Sequence, residues 1–441
     1  MHLTLAPRWR ELRFLLPLFG LVPLGFAITH VAASGLFEPG ALEVAVAYAA
    51  LFLAAHAILV VSGHRGDQLL LPTVGILGAF GMVMLNRLPQ DIAGMSAFGI
   101  ELGMAQTQLL WFAIGLAAML VVAVGLRDDG FLRHYKYTWA VAGALLLLFT
   151  FLFGREIYGA RLWIYVGPIG IQPGEFIKIV LVVFIAGYLA ETRSLLAGAS
   201  LRIGPISLPP LPYLAPMLAL FVAVMLIVVI SRDLGTALLF FGIFLTMLFV
   251  ATGRRIYVVF GMLLFVAGSW VAYELFSHVQ RRVNAWIDPF ADPTDTGYQT
   301  VQALYGLARG GLFGEGLGQG LLTTNGRPTI FAVETDFIFT AIAEELGVLG
   351  AMALLALALL LVFRGLRIAI GARDEFSALL AIGLTTSLGL QTLIIVGGNV
   401  KLIPLTGVTF PFVSYGGSSL LASFIVIGLL LSISHRSALN R

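Results

Sequence analysis

The chain contains no cysteine, which excludes disulfides, thiolate metal sites and cysteine nucleophiles. Charge is scarce too: Asp, Glu, Lys and Arg make up 11% of the 441 residues, less than half of the roughly 25% usual in a water-soluble domain. The seven histidines show no HxxxH or HExxH spacing, so no zinc-protease motif is present. The net charge is only +3, and the basic residues are too dispersed to form a nucleic-acid-binding patch. No separate soluble domain and no internal repeat is visible.

Apolar length takes the place of charge. Hydrophobic residues make up 59% of the chain and the mean hydropathy is +0.98. The apolar runs reach about 20 residues, enough for a helix rising about 1.5 Å per residue to cross about 30 Å of hydrocarbon. Such runs are too long for buried strands. The spans fall at 12–33, 40–62, 68–85, 106–125, 137–153, 174–190, 211–230, 233–252, 256–276, 336–363, 375–397 and 410–434. The chain therefore reads as an all-α polytopic membrane protein with about twelve transmembrane helices. Pro17, Pro23 and Pro411 lie within these spans, as membrane helices allow when neighbours re-satisfy the backbone. The first span follows a basic segment, as a signal peptide would, but its length and the span directly after it mark a retained anchor.

Cytoplasmic connections collect Lys and Arg. With the N-terminus inside, sixteen of the 26 basic residues, from Arg8 to Arg441, face the cytoplasm with seven acids. That side then nets +9 and the remainder −6, so both termini are expected in the cytoplasm. The 59-residue connection 277–335, between spans 9 and 10, becomes a large extracytoplasmic loop. Connections of this length are usually functional. Within it, residues 298–309 are expected to form a short helix lying against the membrane. The run Gly314, Gly316, Gly318 and Gly320 is not preceded by a strand, so it is not a dinucleotide fingerprint; it reads as a flexible loop closing over the bundle.

Polar residues at membrane depth are costly and point to function. Glu175 and Lys178 are three apart on one helix face, which suits either a self-neutralising ion pair or a substrate contact. Arg161 and Trp163 precede that helix as interfacial anchors or as substrate ligands. Arg232 and Asp233 form a local pair with a helix cap, or part of a site. Asp336 complements a helix dipole, whereas Glu344 and Glu345 lie about two turns deeper and require buried partners. Near the C-terminus, NVKLIPLTGVTFPFVSYGGSS contains Lys401 and Ser414, with the small residues serving as donors or as helix packing.

These blocks, taken in order, resemble the SEDS family (shape, elongation, division and sporulation), the RodA and FtsW proteins. The resemblance covers roughly residues 155–434 and rests on GARLW, QPGEF, RDLGTALL, DPTDTGYQ with GLARGGLFGEGLGQG, TDFIFTAIAEELG, and PLTGVTFPFVSYGGSS. The last block is closer to RodA. The chain departs from the family at Leu162 (usually Arg), Gly174 (usually Ser) and Asp295 (usually Gly), and it reads FAVE at 331–334 where PExH is usual. Family cores have ten spans, so the segment 1–70, with two helices, is additional to a SEDS-like core at 71–441.

The resemblance implies a peptidoglycan glycosyltransferase of the bacterial cytoplasmic membrane that polymerises lipid II, an undecaprenyl-diphosphate-linked disaccharide peptide, for cell elongation or division. It implies inverting transfer with one base and no nucleophilic carboxylate. The base would be Asp292, the Asp of the DPxxxGYQ pattern, with its basicity raised by partial desolvation under the glycine-rich segment. Arg161, Trp163, Glu175, Lys178, Asp233, Gln299, Lys401 and Ser414 would bind substrate. A divalent cation (Mg or Mn) at the diphosphate, membrane lipid, and a class B penicillin-binding protein as partner complete the expectation. The competing readings are a flippase or transporter of lipid-linked precursors and an O-antigen-ligase-like glycosyltransferase.

Overall fold

The structure is a computed structural model that describes all residues except 1–7, 38, 92–94, 98–99, 127, 158–159, 168, 199–200, 204–205, 209–210, 325–326 and 440–441. In chain order the helices are α1 (Trp9–Leu15), α2 (Leu18–Ser34), α3 (Glu43–Val61), α4 (Leu70–Arg87), α5 (Met104–Gly125), α6 (Gly130–His134), α7 (Lys136–Phe153) and α8 (Pro173–Gly198). They continue as α9 (Leu211–Ile230), α10 (Leu234–Thr252), α11 (Arg255–Leu275), α12 (Ser277–Ile287), α13 (Tyr298–Gly310), α14 (Ile338–Ile370), α15 (Glu375–Asn399) and α16 (Gly417–Leu439). Among the described residues twelve helical segments are long and apolar enough to cross a membrane, α1 and α2 together counting as one.

Hydropathy located all twelve, and three differ from their expected form. The first breaks between α1 and α2 at Leu16 and Pro17, where proline removes an N–H from the helical ladder. The tenth is interrupted at Gly347, whose φ of 68° and ψ of −170° are not helical. The last starts at Gly417, seven residues later than expected, because Pro404, Gly407, Pro411 and a left-handed Phe412 (φ 67°) keep the preceding segment out of the helix. The connections also carry short antiparallel strands, of which Arg155–Ile157, Ala160–Val166 and Ile169–Ile171 form a three-stranded sheet ahead of α8.

The chain divides into two compact units. The first comprises Met1–Arg127, Asn284–Arg364 and Gln391–Arg441. Its α5 and α16 pack through glycines: a Cβ on Gly115 would meet the Phe424 ring at 2.3 Å, and one on Gly428 would meet the Met119 carbonyl at 2.8 Å. Between helices in lipid, close approach of this kind supplies the van der Waals contact that the hydrophobic effect does not. The second unit comprises Asp128–Val283 and Gly365–Leu390. There α7 meets α8 at Gly143, against Val180, while Phe221 of α9 stacks on Phe244 of α10 with ring centroids 4.2 Å apart.

Candidate active site

The residues singled out by sequence fall into two sets, one in each unit. In the first unit, Asp292 sits on a tight turn between the 3-10 turn Pro289–Ala291 and α13. The Gly297 N–H donates to the Asp292 carbonyl at 2.9 Å. A Cβ on Gly297 would stand 2.0 Å from the Pro289 carbonyl, so only glycine closes this turn. The carboxylate is fixed from the same turn: the Thr296 N–H and hydroxyl donate to Asp292 Oδ2 at 3.2 and 3.0 Å. These two hydrogen bonds hold the Asp292 carboxyl below the usual carboxylate range, because they favour the charged form. The expected desolvation is therefore not what sets its basicity. Asp292 stands at the surface of the turn, ionised at neutral pH.

The helix expected after it is present as α13. Its Tyr298 hydroxyl donates to the Thr329 carbonyl at 2.9 Å, and Gln299 Nε2 to the Phe331 carbonyl at 3.4 Å. Gln299 thus ties the start of α13 to the segment before α14. Lys401, with a left-handed φ of 61°, donates from Nζ to the Ile287 carbonyl at 3.3 Å, and its own carbonyl accepts the Trp286 indole N–H at 3.0 Å. Both bonds reach the end of α12, immediately ahead of the Asp292 turn. Ser414 is buried; its hydroxyl donates to the Thr335 carbonyl at 2.6 Å and accepts from the Phe410 N–H at 2.8 Å. In this structure Ser414 is a pin between two chain segments.

The glycine-rich segment is a strap bonded into the break of α14. A helix interrupted at membrane depth exposes unpaired carbonyls on one side and N–H groups on the other, and these must find protein partners. The strap supplies them. Glu315 and Gly316 donate N–H bonds to the carbonyls of Glu344 and Glu345, both at 3.0 Å; Val348 and Leu349 donate to the carbonyls of Gly311 and Leu312 at 3.0 and 3.2 Å. A Cβ on Gly314 (φ 84°) would lie 2.2 Å from the Glu345 carbonyl, which explains the glycine there.

Each buried acid of α14 is hydrogen-bonded through one carboxylate oxygen, while Glu344 Oε2 and Glu345 Oε1 accept no hydrogen bond among the described residues. Glu344 Oε1 accepts from Arg309 Nε at 3.0 Å and from the Leu321 N–H at 2.7 Å. Glu345 Oε2 accepts from the Gly318 N–H at 2.8 Å, and its Oε1 lies 3.5 Å from Arg87 Nε. Arg309 and Arg87 were not legible as partners, since they are 35 and 258 residues away from them along the chain. Glu334 was also missed. Burial raises its carboxyl above the usual range, and its Oε2 has no hydrogen-bond partner among the described residues.

In the second unit, Lys178 is 1% exposed and its Nζ lies 2.6 Å from Glu175 Oε2. Arg161 and Asp233 line one cleft, together with Gln172, Gly174, Ser231 and Thr236. This partly open cleft has about 20 Å³ of accessible space, enough for an ordered water. Arg161 Nε lies 3.4 Å from Glu156 Oε2, its neighbour across the strand pair. Asp233 Oδ1 accepts the Thr236 N–H at 3.0 Å and so caps α10. Trp163, half-buried on the same strand as Arg161, packs under Gly170.

Because Lys178 is buried, its ion pair should matter beyond local folding. Replacing Glu175 by Gln keeps an amide oxygen near Lys178 and removes the negative charge. The Lys178 ammonium keeps a neutral acceptor but loses its counter-charge, a loss of about 1–2 kcal/mol, so activity is expected to fall roughly 5- to 30-fold with most of the folded yield retained. Parental activity in Glu175→Gln would reduce the pair to a structural one.

The fold and these residues define a class: a polytopic membrane protein whose polar machinery is gathered on a long connection and on interrupted helix ends. The family described as "Cell cycle protein", covering FtsW, RodA and SpoVE, matches residues 67–439, and the chain belongs to it. It is 43% identical over 394 residues to the peptidoglycan glycosyltransferase RodA of Mycobacterium bovis, covering 88% of this chain and 82% of that protein. It is 34% identical over 385 residues to the stage V sporulation protein E of Bacillus subtilis, covering 84% and 97%. A solved structure described as "Structural coordination of polymerization and crosslinking by a peptidoglycan synthase complex" superposes with a TM-score of 0.66 at 27% identity, covering 84% of this chain and 98% of the other. The higher identity to RodA agrees with the RodA-like C-terminal block.

Proposed function

We propose that this chain is a lipid II polymerase of the bacterial cytoplasmic membrane. The acceptor's sugar 4-hydroxyl attacks the anomeric carbon of the donor strand, forming the new C–O bond. The bond from that carbon to the undecaprenyl diphosphate breaks with inversion, and its electron pair leaves on the diphosphate. The hydroxyl proton passes to the Asp292 carboxylate. A sugar hydroxyl is too weak an acid to ionise freely, but its proton becomes acidic as the bond forms, and a positioned carboxylate then accepts it. The observation that carries this reading is the Asp292 turn, where Thr296 and Gly297 hold an ionised carboxylate at a defined place on the long connection.

Arg161 and Lys178 are assigned to the diphosphate, where positive charge stabilises the leaving group. Trp163 and Asp233 are assigned to the same substrate region. Gln299, Lys401 and Ser414 are assigned to the substrate as well, on segments that their hydrogen bonds to Phe331, Ile287 and Thr335 hold in place. The described residues contain no group of three or more His, Cys, Asp or Glu that could hold a metal ion. A Mg or Mn ion is assigned to the substrate diphosphate, which such ions join with one or two carboxylates.

The orientation proposed places 277–335 outside and both termini in the cytoplasm. A chain without cysteine allows a direct check: Gln319→Cys, on the exposed side of the strap, should react with an impermeant thiol reagent on intact cells. Labelling only after lysis reverses the topology. A class B penicillin-binding protein is proposed as the partner that cross-links the strand.

Incubation of the purified chain and that partner with labelled lipid II tests the function. Glycan ladders with release of undecaprenyl diphosphate are expected. Lipid II that crosses vesicle membranes unconsumed would make the chain a flippase, and lipid II left untouched while another lipid-linked glycan is transferred would make it an O-antigen-ligase-like enzyme.

A further inference from the structure

Helices α1–α3 precede residue 67, where the family match begins. Nothing in the chemistry above uses them, yet they are attached to the first unit at three levels. At one end Arg8, 2% exposed, pairs with Glu11 and donates to the carbonyls of His64, Gly66 and Asp67 at 2.9, 3.2 and 2.9 Å. His56 Nδ1 of α3 reaches the same Glu11 at 2.7 Å. This buried clamp ties α1 and α3 to the turn leading into α4, and breaking such a cluster leaves an uncompensated charge.

Midway, the Tyr48 hydroxyl of α3 donates to the Gly75 carbonyl of α4 at 2.7 Å. Glycines take the other contacts: a Cβ on Gly75 would lie 2.9 Å from Leu18, and one on Gly25 would lie 2.7 Å from Val83. α2 is thereby held along α4 without freedom to slide, since each glycine accepts one particular side chain.

At the far end α2 meets the strap. Gly318 (φ 82°) lies so close that a Cβ on it would stand 2.5 Å from Ala32 Cβ and 3.6 Å from the Thr29 Cα. Thr29 also accepts from Asn86 Nδ2 of α4 at 3.4 Å. The opposite side of Gly318 donates its N–H to Glu345. Gly318 is therefore wedged between α2 and a buried carboxylate. The strap that contains it continues directly from α13, whose first residue lies six positions after Asp292.

We propose that α2 is a brace for polymerisation, with Ala32 and Thr29 as positioning residues that seat Gly318 and so hold the strap, α13 and the Asp292 turn in working geometry. The inference rests on the assignment of Asp292 above. It gives the N-terminal helices a role in catalysis, because the clamp at Arg8 and the glycine contacts along α4 set the position of α2, and Ala32 passes it to the connection. Misplacement of a catalytic group by about 1 Å can cost up to about 100-fold in rate, so a methyl-sized contact suffices.

The test uses the full chain with its transpeptidase partner and two readouts. Hydrogen exchange follows the strap, residues 311–321, with α16 as internal reference; lipid II kinetics give kcat and KM. Ala32→Phe is expected to speed exchange in the strap, leave α16 protected, and lower kcat about 10-fold or more at unchanged KM. Gly318→Ala should do the same; because φ 82° strains any side chain there, adding Ala32→Gly relieves only the Ala32 contact and should restore part of kcat and of the protection. Unchanged strap exchange in both single variants would overturn the brace. So would faster exchange with parental kcat, or a double variant no better than Gly318→Ala. If the parental chain itself made no glycan, the polymerase assignment would fall, and strap exchange in Ala32→Phe would still decide whether α2 holds the strap.

Discussion

Asp292→Asn is expected to abolish glycan synthesis, lowering it by the roughly 10²- to 10⁴-fold that a general base contributes, while insertion and folded yield stay parental. Asparagine preserves the shape of the turn and still offers an oxygen to Thr296, so the loss reports the missing base. Asp288 and Asp295 serve as controls on the same connection; their Asn variants should retain activity. Polymerisation at near the parental rate in Asp292→Asn, with collapse in either control, would move the base.

A pH profile refines this. A base must be ionised, and Asp292 is held below the usual carboxylate range by its Thr296 bonds. The ionised fraction is therefore complete at neutral pH and is lost only as pH falls below that range. Thr296→Val removes the hydroxyl donor and leaves the backbone donor, which raises the Asp292 pKa and should move the acid limb of the rate profile to higher pH. An unmoved limb would assign it to another group.

Glu344→Gln is expected to damage both folding and synthesis. Glu344 is fully buried, and it is the shared acceptor for Arg309 of α13 and the Leu321 N–H at the end of the strap. Gly306 and Gly310 bring α13 against the same turn of α14; a Cβ on Gly310 would lie 2.0 Å from the Ala343 carbonyl. Removing one partner of a buried pair costs about 3–5 kcal/mol; Arg309 keeps 29% of its side chain exposed, which reduces this to about 2–3 kcal/mol. The thermal midpoint in detergent should drop by several degrees and synthesis by at least an order of magnitude. A parental midpoint would show that the Arg309 contact contributes nothing to stability.

How much of this was legible varied with the physical range of the cause. Hydropathy over about 20 residues located every span, because crossing hydrocarbon is a property of a contiguous segment. The motif order identified the family, and the helix after DPTDTGYQ was expected where α13 lies. The depth of Glu344 and Glu345 demanded partners, and partners exist. Their identity did not follow, because Arg309 and Arg87 reach them only through the packing of separate elements. Basicity was misjudged for a related reason: glycines around Asp292 suggested cover, whereas the turn geometry brings in Thr296, four residues on, as the dominant influence.

Taken by itself, the sequence determined the membrane-spanning class, the number of spans, the family and the residue types available for chemistry, since each is encoded in local composition or in short ordered motifs. Only the tertiary structure decided that the tenth span breaks at Gly347, that the glycine-rich strap repairs the break, and that α2 reaches the strap at Gly318. The physical reason is the pairing of buried backbone groups. A helix interrupted in a medium without water must find its missing hydrogen bonds in another segment, and which segment supplies them depends on three-dimensional approach rather than on neighbourhood along the chain.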